Sequence, residues 1–229
     1  MARKVSARKV LTPKDVARQE TAPSDMTPKA IALNCTLKGG GAPSSTDKLL
    51  GEVLDAFVDH SVSGEIIRVV DFDIKPGVTS DEGQGDAWPD LRERILAADI
   101  LVLGTPIWLG QPSSVAKRVL ERMDAFLSET DSNKRMPSFG KVAVVAVVGN
   151  EDGAHHCHAE LFQALSDVGF TIPSGAGTYW VGQAMCSTDY NDLKKPYDKT
   201  VDTTRMLASN AAHLAKLLKS AQYPGLASE

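Results

Sequence analysis

Residues 99–127 read "DILVLGTPIWLGQPSSVAKRVLERMDAFL", and this stretch decides the fold. Its first part, residues 99–106, is an apolar, β-branched run that ends in Gly-Thr-Pro, which is typical of a strand buried on both faces. Its second part, residues 113–127, places apolar residues at helical spacing behind Ser113 and Ser114, either of which suits a helix N-cap. A buried strand followed by a capped helix is one β-α unit of a parallel sheet.

The same unit recurs on both sides of this stretch. Five such units in a row predict an α/β fold: a doubly wound, five-stranded parallel sheet of order 2-1-3-4-5 with helices on both faces. Ligands bind such sheets beyond the carboxyl ends of the strands, so the loops after strands one, three and four form the candidate site. The expected strands are 29–34, 64–72, 99–106, 141–150 and 170–175, and the expected helices are 45–60, 89–98, 113–127, 153–169 and 201–220.

Composition excludes several classes of protein. The chain has 229 residues and a formal net charge of -4, so we expect no nucleic-acid or membrane partner for the domain as a whole. Three unpatterned cysteines argue against a disulfide framework, and the longest apolar runs are too short to span a bilayer. No apolar segment follows the basic N-terminus as it would in a secretory signal, and we expect a cytoplasmic protein.

The first 28 residues differ from the rest of the chain. They are rich in Lys and Arg and have little apolar periodicity, so we expect a basic N-terminal arm over residues 1–28 and one domain over residues 29–229. The arm could be flexible or lie on the surface, or it could clasp a partner subunit. A nucleic-acid tail is less favoured, because no aromatic residues interleave with the charges.

The loop after the first strand has the features of a phosphate site. It joins a strand end to a helix N-terminus, which offers unpaired backbone N–H groups and a positive partial charge. It matches neither the GxGxxG nor the GxxxxGK[ST] pattern, which argues against a dinucleotide fingerprint and a Walker NTPase. The alternative is a capped helix behind a flexible loop. The candidate phosphate ligands are the hydroxyls and the cation at Thr36, Lys38, Ser44, Ser45 and Thr46.

The loops after the third and fourth strands suit a flat ring. An exposed apolar run around Trp108 could form a wall for an aromatic ligand, and a polar, Gly-flanked turn lets backbone approach a ligand closely. The alternative for each loop is packing on its own chain or on a subunit. Tyr179 and Trp180 follow as a second aromatic element. The candidate residues are Pro106, Ile107, Trp108, Leu109 and Gly110 in one loop, and Gly149, Asn150, Glu151, Asp152 and Gly153 in the other. A phosphate at one end and a heterocycle at the other describe FMN.

Over roughly residues 29–220 the chain resembles the flavodoxin-like NAD(P)H-dependent FMN reductase family. The likeness rests on "LNCTLKGGGAPSST" (33–46), on "DILVLGTPIWLGQPSSVAKRVLERMDAF" (99–126) and on "VVGNEDGAHH" (147–156). The resemblance implies a flavodoxin-like homodimer that binds FMN, takes hydride from NAD(P)H and reduces a small acceptor such as a quinone, a free flavin or a nitro compound. It implies polar contacts to the ring edge from Asn150 and Glu151 and from backbone N–H groups of residues 107–110.

Two alternatives to a reductase stay open. A flavodoxin-type electron carrier would bind FMN and dock to redox proteins. Such carriers are usually shorter and more acidic than this chain, because charge steers their docking. A flavin-free α/β binding protein would have degenerate loops at the strand ends, and the intact Trp108 loop argues against it.

The run "HHCH" at residues 155–158 looks like a metal site, but its spacing argues against one. His155 and His158 share a helix face, whereas His156 and Cys157 point elsewhere, so one face offers two ligands where zinc needs three or four. We therefore predict no metal. The run is then either an ordinary helix start or a border of the substrate pocket, where His155 or His156 could donate a hydrogen bond or a proton to the acceptor.

Overall fold

The computed structural model describes residues 27–183 and 186–226. The basic arm predicted over residues 1–28 lies outside the described residues except for its last two, and the predictions about it stay predictions. Among the residues that are described, none of the helices combines the length and the apolar character that crossing a bilayer requires.

The described residues form six strands and five α-helices, and a helix follows each of the five parallel strands either directly or after a short element. The five parallel strands have the order β2-β1-β3-β5-β6, and β4 pairs antiparallel with β3. The predicted flavodoxin-like sheet of order 2-1-3-4-5 is confirmed, with β4 as an addition. The strands are β1 (Lys29–Asn34), β2 (Ser63–Arg68), β3 (Ile100–Trp108), β4 (Gln111–Pro112), β5 (Val142–Gly149) and β6 (Gly177–Val181), and the helices are α1 (Ser45–Val58), α2 (Trp88–Ala97), α3 (Ser114–Met123), α4 (Ala154–Asp167) and α5 (Asp198–Ser220).

Each face of the sheet carries its own apolar core. Alternate residues of the central strands point to opposite faces, and because both faces are covered, β5 is apolar and buried along nearly its whole length. One core packs the sheet against α2, α3 and α4, and the other packs it against α1 and α5. The helices thus flank the sheet and leave the loops at its carboxyl edge free to form a site.

The position of the fifth strand was predicted wrongly. Residues 170–175 form a single bridge, in which Thr171 pairs with Val142, and the strand lies instead at Gly177–Val181. Pro173 explains the difference, because a proline has no N–H to donate and seldom lies within a strand. Tyr179 and Trp180, expected in a loop, therefore lie within β6 and project from opposite faces of the sheet.

A long connection between β2 and α2 is held by one buried cation. The second strand ends at Arg68, earlier than predicted, and the chain then runs outside regular strands until Trp88. The Arg122 guanidinium of α3 donates to the backbone carbonyls of Lys75 and Thr79 in this connection, and it forms an ion pair of 2.8 Å with Asp86. The buried Arg122 guanidinium therefore holds the β2–α2 connection through hydrogen bonds and one ion pair.

Candidate functional site

A cleft lies at the carboxyl edge of the sheet, above the boundary between β1 and β3. The chain leaves β1 toward α1 on one face of the sheet and leaves β3 toward α3 on the other, so the loops diverge at this point and open a crevice. Five parts of the chain line it: Thr36, Leu37, Lys38, Ser44, Ser45 and Thr46 after β1, Pro106, Ile107 and Trp108 in β3, Val148, Gly149, Asn150 and Glu151 at the end of β5, Trp180 in β6, and Asp189 and Tyr190 after β6.

One end of the cleft is the N-terminus of α1. Ser44 is its N-cap, and the Ser44 hydroxyl accepts a hydrogen bond from the backbone N–H of Asp47 at 3.2 Å. The backbone N–H groups of Ser45 and Thr46 lie in the first turn, where an α-helix supplies them with no carbonyl partner. Together with the exposed Lys38, these groups give this end of the cleft a positive character that suits an anion.

The loop before α1 is braced from β1 and from the end of β2. The side-chain oxygen of Asn34 accepts a hydrogen bond from the backbone N–H of Thr36 at 3.0 Å. The Arg68 guanidinium donates to the carbonyl of Ala42 at 2.8 Å, and the Asp71 carboxylate accepts from the backbone N–H of Gly40 at 2.7 Å. These bonds hold the glycine-rich loop in place, so the anion-binding end of the cleft is preformed.

Ser44→Ala should lower the free energy of unfolding by about 1 kcal/mol, because the Asp47 N–H loses the hydroxyl that caps α1. Chemical denaturation monitored by circular dichroism measures this change. Ser209→Ala is the control, since Ser209 is an exposed residue within α5, and it should change stability by less than about 0.5 kcal/mol. Equal stability of the two variants would show that Ser44 does not cap the helix.

The loop after β3 is a tight hairpin. Trp108 pairs with Gln111, and the two residues between them, Leu109 and Gly110, have φ angles of 53° and 75°. Positive φ at both positions is the signature of a type I′ turn, which glycine adopts freely and a leucine adopts only at a cost. Leu109 is 92% exposed and Trp108 is 51% exposed, so the hairpin presents an apolar tip at the mouth of the cleft.

The hairpin is seated against the start of α4. A methyl group added at Gly153 would lie 2.7 Å from the Cα atom of Gly110, so only glycine allows the two backbones to approach this closely. The Cys157 thiol lies 3.7 Å from the carbonyl oxygen of Gly110. Gly153 thus supports the hairpin from behind rather than lining the cleft.

The turn after β5 brings polar groups to the other end of the cleft. The Asn150 side chain donates to the carbonyl of Cys186 at 3.3 Å and to the carboxylate of Asp189 at 3.4 Å. Glu151 also lines the cleft, and its buried Oε1 atom has no hydrogen-bond partner among the described residues. This end of the cleft therefore holds an acceptor that no described residue satisfies.

Trp180, half of the second aromatic element in the sequence, forms a wall of the cleft together with Tyr190, which the sequence analysis did not assign to the site. Trp180 is 3% exposed, and its ring centroid lies 5.3 Å from that of Tyr190. The Lys48 ammonium of α1 donates to the carbonyls of Tyr190 at 2.9 Å and Leu193 at 3.1 Å, and it lies 4.7 Å from the Tyr190 ring centroid. Lys48 therefore ties the segment after β6 to the helix that begins at the anion-binding end.

The Tyr190 hydroxyl donates a hydrogen bond to the Glu52 carboxylate. Burial raises the pKa of Tyr190, and the hydrogen bond and the negative charge of Glu52 raise it further. Burial also raises the pKa of Glu52, against the opposing effects of the Tyr190 hydrogen bond and the Lys48 charge. Tyr190 is therefore a neutral phenol at physiological pH, and it serves the cleft as a fixed apolar ring.

The histidines at the start of α4 do not line the cleft. The His155 and His158 rings lie 5.1 Å and 5.6 Å from the Tyr179 ring, on the face of β6 opposite Trp180. Burial is the main cause that lowers the pKa of His158 to about 4, so this imidazole is neutral at physiological pH. His156 lies beside the hairpin, where its Nε2 atom is 2.9 Å from the side-chain amide nitrogen of Gln111.

The four possible metal ligands of "HHCH" therefore face different parts of the protein. His155 and His158 face Tyr179, His156 faces Gln111, and the Cys157 thiol faces Gly110. Within the part of the chain that the structure describes, no three His, Cys, Asp or Glu side chains form a group able to hold a metal ion. Neither His155 nor His156 lines the cleft, and their role at the substrate pocket stays a prediction.

Most of the predicted ligand residues are brought together in the cleft. Those that line it are Thr36, Lys38, Ser44, Ser45, Thr46, Pro106, Ile107, Trp108, Gly149, Asn150 and Glu151. Leu109, Gly110, Asp152 and Gly153 lie in the two predicted loops but outside the lining. Leu37, Val148, Asp189 and Tyr190 line the cleft without having been predicted, and Trp180, named in the sequence analysis as part of a second aromatic element, lines it too.

Comparison with known families accounts for this arrangement. Residues 28–185 match the family described as NADPH-dependent FMN reductase. The chain belongs to this family. The resemblance inferred from the sequence is confirmed, and the matched range contains the predicted anion-binding loop, the Trp108 hairpin and the turn after β5.

Two curated relatives differ in how they align with this reductase-family chain. The 8-demethyl-8-aminoriboflavin-5'-phosphate synthase of Streptomyces davaonensis is 32% identical over 208 residues, which are 86% of this chain and 81% of that one. A protein of Mycobacterium bovis named divalent metal cation transporter MntH is 36% identical over 199 residues, which are 84% of this chain. The chain spans 29% of the length of that second relative.

Solved structures give the same fold. RosB with bound 8-demethyl-8-formylriboflavin-5'-phosphate superposes with a TM-score of 0.78 at 32% identity, covering 86% of this chain and 82% of that chain. The apo form of the NADH:FMN oxidoreductase EMOB superposes with a TM-score of 0.55 at 17% identity, covering 88% and 96%. An archaeal flavodoxin has a TM-score of 0.52 at 12% identity, covering 82% and 99%. The last two are similar in fold alone.

Proposed function

We propose that this protein is an FMN-dependent oxidoreductase that takes hydride from NAD(P)H and passes electrons to a small acceptor such as a quinone, a free flavin or a nitro compound. One observation carries the proposal. A single cleft joins a helix N-terminus, lined by Ser45 and Thr46, to an aromatic end lined by Trp108 and Trp180. This is the arrangement that a molecule with a phosphate at one end and a flat heterocycle at the other requires.

The residues present fit FMN at both ends of the cleft. The first turn of α1 and the Lys38 ammonium would hold the phosphate, and the rings of Trp108 and Tyr190 would border the heterocycle. The buried Glu151 Oε1 atom is an acceptor that a ring N–H could satisfy. When bound, FMN would accept hydride from a nicotinamide and release electrons singly or in pairs.

The chain's own residues bind and orient rather than react. Among the described residues that line the cleft, none is His or Cys, the side chains that most often act as base or thiol nucleophile. The apolar side chains of Ile107, Val148 and Trp180 would exclude water from one end of the cleft. The exposed Trp108 and Leu109 leave the mouth of the cleft open to a flat acceptor. We also propose a homodimer, as the family resemblance implies.

Protein reconstituted with FMN should show the absorption bands of an oxidised flavin, and NADH or NADPH should bleach them under anaerobic conditions. A quinone added afterwards should restore the bands, and steady-state rates should follow ping-pong kinetics, because nucleotide and acceptor would use the same pocket in turn. Stopped-flow absorbance measures both half-reactions. Riboflavin is the matched control ligand, since it lacks the phosphate that α1 would hold.

Two results would contradict this proposal. Binding of FAD in preference to FMN would show that the anion-binding end does not receive a terminal phosphate. A bound flavin that neither nucleotide reduces, but that a partner reductase does reduce, would favour the electron-carrier alternative.

A second candidate function comes from the relatives at 32% identity. One is named a synthase of an aminated FMN, and the related structure RosB holds a formylated one, so their cleft receives a flavin phosphate that is altered at carbon 8. The present chain would then consume FMN as a substrate. Exchanging the methyl group at carbon 8 for an amino group needs an amino donor and an oxidant, so FMN is incubated with an amino acid and dioxygen. Mass spectrometry of the recovered flavin then separates the two cases: unchanged FMN supports the reductase, and a mass that shows the methyl group replaced by an amino group supports the synthase.

A further inference from the structure

One imidazole nitrogen at the start of α4 has two neighbours that it cannot hydrogen-bond at the same time. The His156 Nε2 atom lies 2.9 Å from the side-chain amide nitrogen of Gln111 and 3.0 Å from the Oε1 atom of Glu160. An amide nitrogen only donates, so a bond from Gln111 needs the lone pair of an unprotonated Nε2. A carboxylate only accepts, so a bond to Glu160 needs a proton on that same atom. The two contacts therefore belong to two different protonation states of Nε2.

Gln111 belongs to the hairpin that borders the cleft. It pairs with Trp108 across the hairpin, and Trp108 lines the cleft. The Cys157 thiol of α4 also approaches the hairpin, at 3.7 Å from the Gly110 carbonyl oxygen, but a thiol is a weak donor. Among the described residues, the contact between Gln111 and His156 is therefore the stronger of these two side-chain links between the hairpin and α4.

The charges around His156 act in opposite directions on its imidazole. Glu160 lies one turn along α4 and favours the charged form, and Glu151 and Asp152 add negative charge in the turn that leads into the helix. The positive end of the α4 dipole, where His156 lies in the first turn, opposes that form. The hairpin adds no charge, because residues 104–113 contain no titratable side chain. The side chains of His156 and Glu160 are 51% and 47% exposed, so protons reach both from the solvent.

We propose that His156 is a positioning residue: its neutral imidazole holds the Trp108 hairpin against α4, and protonation transfers the imidazole to Glu160 and releases the hairpin. Histidine is the side chain whose charge ordinarily changes between about pH 5 and about pH 8. Once Nε2 is protonated, the charge-assisted bond to Glu160 outweighs any bond to the neutral Gln111 amide, because such bonds are roughly twice as strong. The mouth of the cleft is then less firmly held at mildly acidic pH than at neutral pH.

The first test is acrylamide quenching of tryptophan fluorescence in the protein without flavin. Trp108 is 51% exposed, whereas Trp88 and Trp180 are 0% and 3% exposed, so a neutral quencher reports mainly on Trp108. The quenching constant of wild-type protein should be higher at about pH 5.5 than at about pH 8. Trp108→Phe identifies the signal, because it should remove the part of the quenching that depends on pH.

The second test is the affinity for riboflavin, and this readout alone rests on the proposed function. FMN is unsuitable here, because the charge of its phosphate also changes near about pH 6. Wild-type protein should bind riboflavin about threefold more weakly at about pH 5.5 than at about pH 8, which is the size of loss expected when one neutral hydrogen bond is broken.

Variants at the three interacting positions make both tests specific. His156→Ala should abolish the pH dependence and keep the hairpin in its released state at either pH. Glu160→Gln removes the competing carboxylate and should reduce the dependence. Gln111→Glu replaces a donor with an acceptor, so its hairpin should be held more firmly as pH falls, the reverse of wild type. His213→Asn is the matched control, since His213 is an exposed histidine of α5, and it should keep the wild-type dependence.

The two readouts separate the role of His156 from the proposed function. If the protein binds neither FMN nor riboflavin, the proposed function fails and the quenching measurements alone decide on His156. If wild-type quenching is the same at both pH values, or if His156→Ala keeps the wild-type dependence, the positioning role is wrong and flavin binding stands. A contact that is merely structural would make His156→Ala weaker than wild type by the same factor at both pH values. A dependence that is lost in His156→Ala, reversed in Gln111→Glu and kept in His213→Asn supports the positioning role.

Discussion

Replacing Arg122 with Met is expected to lower the free energy of unfolding by about 3–5 kcal/mol, because the Asp86 carboxylate would then be buried without its partner. Both side chains are fully buried, and their ion pair is 2.8 Å long. The guanidinium also satisfies the backbone carbonyls of Lys75 and Thr79, which the variant would leave without donors. Met fills similar volume but donates nothing, so the cost falls on the polar groups of the β2–α2 connection.

Chemical denaturation of wild type and variant measures this loss. The matched control is Arg135→Met, because the Arg135–Asp131 ion pair has the same 2.8 Å length but exposed side chains, at 32% and 41%. An exposed pair of this kind contributes less than about 1 kcal/mol. If Arg122→Met and Arg135→Met lowered the free energy of unfolding by similar amounts, burial would not be the reason that the Arg122 contacts stabilise the fold.

The buried pair also implies a direction for the pH dependence of stability. Burial alone would raise the pKa of Asp86, but hydrogen bonds from Arg122 and from the backbone N–H groups of Glu82, Trp88 and Lys75 outweigh it and lower the pKa to about 2. A carboxyl with a lowered pKa stabilises the folded state fully above its unfolded pKa of about 3.9, and it loses that contribution as pH falls through its folded pKa. The Asp86 contribution should therefore disappear as pH falls from about 4 to about 2.

The order of strands and helices could be predicted because each element carries its own local signal. β5 is an apolar, β-branched run, and α1 has apolar residues at helical spacing behind a serine cap, so neither needs the rest of the chain to be recognised. The position of the fifth strand was predicted wrongly for an equally local reason. The apolar run at residues 170–175 contains Pro173, whereas the true strand, Gly177–Val181, carries the two aromatic residues that suggested a ligand loop.

The cleft was predictable only where it follows directly from strand ends. Thr36, Pro106 and Asn150 come at or just after the carboxyl ends of β1, β3 and β5, so topology places them on one edge of the sheet. Tyr190 begins a single-turn 3-10 helix that no periodic pattern in the sequence announces. Lys48, which holds it in place, lies 142 positions earlier in the chain. A contact between residues so far apart in the chain leaves no recognisable pattern in a single sequence, so Tyr190 was not predicted as part of the site.

The hydroxyls of Ser45 and Thr46 should account for a large part of the affinity for FMN. The double variant Ser45→Ala, Thr46→Ala is expected to weaken FMN binding at least about tenfold and to leave riboflavin binding nearly unchanged, because a hydrogen bond to a charged phosphate contributes roughly 1.5–3 kcal/mol. Both residues line the cleft at the first turn of α1. The Ser44 hydroxyl is left in place because it caps the helix, and its loss would confound binding with stability.

Fluorescence titration of FMN and riboflavin against the same protein samples measures the two affinities. Ser209→Ala, an exposed hydroxyl removed from the middle of α5, should leave both dissociation constants unchanged. A salt titration adds an independent readout, since the difference between FMN and riboflavin should shrink as ionic strength rises, and it should shrink less in the double variant. Riboflavin has the same ring as FMN but no phosphate. If the double variant lost equal affinity for both ligands, the phosphate would lie away from α1. The ring end of the cleft would then be the part of the flavin site still to be tested.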